Sequence, residues 1–81
     1  MTKRWVVSYL PVERQYDHSA TFDDEDEAIK NIQDVAKISQ HGEAVIYAQT
    51  KVLTESGERW KTFRIGVQTA GGALEWDDTI R

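Results

Sequence analysis

The chain has 81 residues, no cysteine, fourteen acids and ten lysines and arginines, for a formal charge of −4. Such a length supports one domain with a modest core, burying about two-thirds of its unfolded surface, and the missing thiols exclude disulfides and thiolate metal sites. Five of the acids sit together at 23–27 and the other nine face ten bases, which argues against an acidic nucleic-acid mimic and removes any general electrostatic pull toward nucleic acid.

In chain order, MTKR leads into an apolar run of only three residues at 5–7. Neither a secretory leader nor a membrane span is expected, and the sequence predicts a cytoplasmic protein. Residues 5–10, WVVSYL, form the first predicted strand, stopped by Pro11, which has no N–H to give to a ladder. Trp5, Val7 and Tyr9 share one face and Val6, Ser8 and Leu10 the other. Residues 12–20 are polar and predict a loop, at most with a short returning strand at 18–22.

Residues 22–42, FDDEDEAIKNIQDVAKISQHG, predict one amphipathic helix, the segment around which the rest is arranged. Asp23 or Asp24 caps it, with Asp26 or Glu27 in the capping-box position, and the acids of the first turn meet the positive end of the macrodipole. Ala28, Ile29, Ile32, Val35, Ala36 and Ser39 recur with a helical period. His41 and Gly42 close the segment, His41 at the negative end and Gly42 as a left-handed cap.

Residues 43–53 and 58–68 predict a hairpin around 54–57 (TESG). Phe63, Ile65 and Val67 alternate with Trp60, Thr62, Arg64 and Gly66. The partner strand is ambiguous, because Ala44, Ile46, Ala48 and Val52 compete with Val45, Tyr47 and Leu53 for the core. A three-residue loop, 55–57, pairs Thr54 with Glu58, Tyr47 with Ile65 and Val45 with Val67. A two-residue loop at 56–57 sets Glu55 against Glu58, a like-charge pair that disfavours it. The three-residue loop is therefore expected, with Tyr47 in the core and Trp60 near Val52 on the other face. A turn at 69–72 precedes a short edge strand at 73–76. Together the elements predict a single α+β domain over 1–81, of order β-α-β-β with a further short C-terminal strand as an option. Its sheet is three- to four-stranded, mainly antiparallel, with the helix packed on one face.

No catalytic, metal or cofactor constellation emerges from the spacing. Consecutive acids at 23–27 point all around a helix and lack the calcium-loop pattern, so capping and the dipole explain them better than a cation does. His18 and His41 have no ligand spacing, the serines lack a nucleophile context, and Gly71-Gly72 lacks a phosphate-loop lysine. A non-enzymatic protein is expected.

Three tryptophans and three tyrosines are many rings for a small core that one helix covers on one side only. The expected activity is protein binding through the uncovered sheet face, by Trp60 and Arg64 with Lys51 and Thr62, or through the helix start at Asp23, Asp24 and Glu27. Plain cross-strand packing of Trp60 is the structural alternative. A homodimer would add buried surface, and the size and lack of catalytic groups also suit a phage or plasmid accessory factor that inhibits a host protein. A sheet platform for single-stranded nucleic acid is the alternative from another class, supported locally by Lys51, Arg59, Lys61 and Arg64, and weakened because the bases divide between two faces.

Overall fold

A computed structural model describes residues 2–13 and 15–77. The elements are β1 (Lys3–Pro11), β2 (His18–Phe22), α1 (Glu25–Ala36), β3 (Ser39–Thr54), β4 (Gly57–Thr69) and β5 (Leu74–Asp77). Every strand pairing is antiparallel, in the order β2-β1-β3-β4-β5. The α+β class is as expected, while the three to four strands expected become five. β5 is the optional C-terminal strand, pairing Gln68 with Leu74 and Gly66 with Trp76, and β2, the short returning strand, is the one beyond the expected count, pairing Trp5 with Phe22 through Tyr9 with His18.

The helix begins as its sequence dictates and ends earlier. Asp24 is the N-cap, and its carboxylate accepts from the Glu27 N–H at 3.1 Å. Ala28, Ile32, Val35 and Ala36 are buried, as their period requires. The helix ends at Ala36 rather than at 41–42, and the Ser39 hydroxyl donates to the Ala36 carbonyl at 3.0 Å where the chain turns into β3. His41 therefore lies in a strand and has no helix terminus to complement. Gly42, at φ 64°, bends that strand instead of capping the helix, next to an irregularity in the β1–β3 pairing that brings Pro11 opposite Ser39.

The hairpin register combines two departures from expectation that cancel. Thr54 pairs with Gly57, so the loop has two residues, Glu55 and Ser56, and neither loop considered from sequence is present. An extra residue, Phe63, then interrupts β4 between Thr62, opposite Gln49, and Arg64, opposite Ala48. Beyond this β-bulge the pairs are Tyr47 with Ile65 and Val45 with Val67, those predicted from a three-residue loop. The loop is one residue shorter than expected and the bulge restores the count. Gly57 carries φ 116° with nothing within 4 Å of a would-be Cβ, so Gly57→Ala meets no clash, only backbone strain. It is expected to cost about 1–2 kcal/mol, read from the urea midpoint.

The core lies between α1 and the β1–β3–β4 sheet. Val7, Ala28, Ile32, Val35, Ala36, Ala44 and Ile46 form it, with Trp5, Tyr9, Phe22, Leu74 and Trp76 packed around. Tyr47 is not in the core as expected. Even-numbered residues of β3 face the helix, Ala44, Ile46 and Ala48 being buried, and Tyr47 lies on the open face with Ile65. The reason is volume. The helix presents Ala28 and Ala36, and a close approach suits the alanines of β3 and Gly66 opposite Ile46, whereas a phenol would hold the layers apart.

Candidate functional site

The side of the sheet opposite α1 has no covering element among the described residues. Register places its side chains in rows. Nearest the hairpin turn, Lys51 stands across from Trp60, and the next row holds Arg4, Gln49 and Thr62. The middle carries Val6, Tyr47 and Ile65, then Ser8, Val45 and Val67. Glu43, opposite Thr69, closes the far end, and Glu75 and Asp77 line the β5 edge.

Side chains at the turn end hold one another in place. The Arg4 guanidinium lies over the Trp60 ring at 4.1 Å and the Lys51 ammonium at 5.4 Å. Arg4 Nε donates to Gln49 Oε1 at 2.7 Å, and Gln49 Nε2 donates to Thr62 Oγ1 at 3.0 Å. Lys51 also pairs with Glu58 at 3.1 Å. Exposed cation–π contacts contribute about 0.5–1 kcal/mol each and exposed ion pairs about the same or less. Their shared effect is to restrict the rotamers of Arg4, Lys51 and Trp60.

Of the residues expected to act together, Trp60, Lys51 and Thr62 do share this face and Arg64 does not. Lys3 belongs to the Trp5 and Val7 side of β1, and its ammonium lies over the Phe63 ring at 5.4 Å. Phe63 and Arg64 thus both turn toward the helix side, and the strand alternation skips one residue at the bulge. Arg64 stacks on Trp76 at 4.2 Å instead. Arg4 takes the place expected of Arg64. Its position was implicit in the alternation of Trp5 and Val7, which sends Arg4 and Val6 to the other face. Asp23, Asp24 and Glu27 are exposed at the start of α1, away from the open face, and Asp24 is engaged in capping.

At the far end of the open face a depression of about 250 Å³ is lined by Ser8, Tyr9, Leu10, Asp17, His41, Glu43, Val45 and Tyr47. Asp17 and Glu43 give it an acidic lining beside the Tyr47 side of the open face, while the Tyr9 ring belongs to the helix side and packs on the core and against His18 at 5.7 Å. Ser8, Asp17 and His41 share it, yet no hydrogen bond among the described residues links them, so the geometry supplies no activated nucleophile. Among the described residues no three His, Asp or Glu side chains come together as metal ligands. A second depression, about 410 Å³, lies between β1 and the end of α1 and is lined by Pro11, Val12, Glu13, Lys37 and Ile38. Among the described residues no helix is long and apolar enough to cross a membrane. Comparison of the chain with protein-family models, with curated proteins and with solved structures finds no match.

Proposed function

We propose that this chain is a non-enzymatic protein-interaction module and that it binds through the open face of its sheet. The observation that carries the reading is the organisation of that face. An apolar centre of Val6, Val45, Tyr47, Ile65 and Val67 is flanked by a restrained Arg4–Trp60–Lys51 cluster at one end and an acid-lined depression at the other. Aromatic and arginine anchors beside a dry centre with a polar rim are the composition of interface hot spots. The nucleic-acid platform is less well supported, because the Trp60 ring already carries Arg4 over it rather than standing clear for a base, and acids occupy the rest of the rim.

The test is affinity capture by the tagged chain in cells or lysate, with fold monitored by circular dichroism. Trp60→Ala and Arg4→Glu are expected to lose about tenfold or more of the captured protein while remaining folded. Asp23→Ala combined with Glu27→Ala is expected to retain it. Loss on the helix-start variant with retention on the sheet variants would move the contact to α1 and overturn the reading.

A further inference from the structure

We infer that the partner of the open face is a second copy of the same chain, packed face to face about a two-fold axis that crosses β3 at Tyr47. This rests on the open face being the interaction surface, and it goes further by naming the occupant. The face is self-complementary along β1 and β3, while Asp77, level with Tyr47 on the β5 edge, lies at the rim. Arg4 and Lys51 lie on β1 and β3 at the turn end, and Asp17 and Glu43 lie beside the same two strands at the other end, with His41, in the depression. Tyr47 is midway between Lys51 and Glu43, four residues from each.

A two-fold axis perpendicular to β3 at Tyr47 therefore lays β3 antiparallel on its copy. It brings each Lys51 over the other copy's Glu43, and each Arg4 over the Ser8 side of the acid-lined depression. The two tyrosines meet at the axis, with Val6, Val45 and Ile65 around them. Packed sheets cross at about 30°, a rotation that long lysine and arginine side chains accommodate. No other operation in the plane does as well: an axis parallel to the strands would set Lys51 over the basic end of its copy and Glu43 over the acidic end.

The size is sufficient. The eight residue steps from Glu43 to Lys51 span about 27 Å, and four to five strands span about 20 Å. That gives a face on the order of 500 Å² per copy and about 1,000 Å² for the pair, at the threshold of a specific interface. Edge-to-edge pairing is less suited, because the two edge strands have only five and four residues and short edges template poorly.

The test is analytical ultracentrifugation of the purified chain over a concentration series, with Lys51→Glu, Glu43→Lys and their equimolar mixture. Wild type is expected to sediment as a dimer that dissociates on dilution. Each single reversal puts like charges across both symmetric contacts and is expected to raise the dissociation constant about tenfold or more. The mixture is expected to form a heterodimer, because both contacts then pair Glu with Lys. Thermal melts of the two dilute variants, both altered at exposed positions, verify that each is folded. A wild type that stays monomeric throughout overturns the inference, as does undiminished association of both single variants or a mixture that fails to recover. A monomeric wild type whose capture of another protein is lost with Trp60→Ala overturns self-pairing alone and leaves the interaction face in place.

Discussion

Ile46→Ala is expected to remove about 2–5 kcal/mol of unfolding free energy, while Ile65→Ala removes about 1 kcal/mol. Both sit mid-sheet on adjacent paired strands and lose the same atoms, so the difference isolates the face. Ile46 is fully buried in the cluster with Ile32, Val7 and Ala36, and its truncation leaves a cavity that the rigid alanines around it cannot fill. Ile65 is only partly buried on the uncovered side, where water or a neighbouring chain takes up the space. A chain of this length carries about 4–12 kcal/mol in total, so Ile46→Ala threatens the fold at ambient temperature. Urea titration checks both at dilute protein, so that association adds nothing to the folded state. Equal or reversed costs would put the core on the other face.

Gly66→Val is the second large effect, expected at about 3 kcal/mol. A Cβ at position 66 would stand 2.9 Å from Ile46 Cγ2, 3.0 Å from Trp76 Cε3 and 3.1 Å from Leu74 Cδ1, and valine adds two methyls to that. Ile46 is held on all sides, so the strain falls on Leu74 and Trp76. These are the large apolar residues of the four-residue β5, which is expected to detach, moving Arg64 off the Trp76 ring. A lowered melting temperature with a red-shifted tryptophan emission would record it; unchanged stability would mean that β5 does not pack over Gly66. The contrast with Gly57→Ala is informative, since one glycine is required by space and the other by dihedral angle.

The start of α1 was legible because its signals are local: an Asx cap at Asp24, acids in the first turn and a helical period from Ala28. Its end was not, because no glycine or proline marks 37–39 and the serine hydroxyl that closes the turn is only a weak signal in sequence. In β3 the two alternations are nearly equal in apolar content, so hydrophobicity alone could not choose between Ile46 and Tyr47. The choice lies in volume matching across layers, small residues of β3 and Gly66 against the Ala28 and Ala36 side of the helix, which requires knowing which surfaces meet. The bulge at Phe63 has no local sequence mark. It separated Arg64 from Trp60, two residues that a straight strand would have kept together, and so redrew the candidate site around Arg4. The depression at Asp17, His41 and Glu43 joins residues far apart in sequence and depends on β2 and the bent start of β3, neither of which was firmly legible.

The contact between Arg4 and Trp60 has a dynamic meaning as well. Beyond Lys51, whose N–H still reaches the Thr2 carbonyl at 3.1 Å, β3 and β4 run on as a ribbon of two strands with no third beside it among the described residues. A two-stranded ribbon is marginal by itself and belongs to the parts of a protein that open locally without global unfolding. The guanidinium on β1 reaches over β3 to clasp the indole on β4 at the base of this ribbon. Local opening is thereby confined to the tip, and a partner that tightens the clasp would slow amide exchange in the ribbon beyond its own footprint.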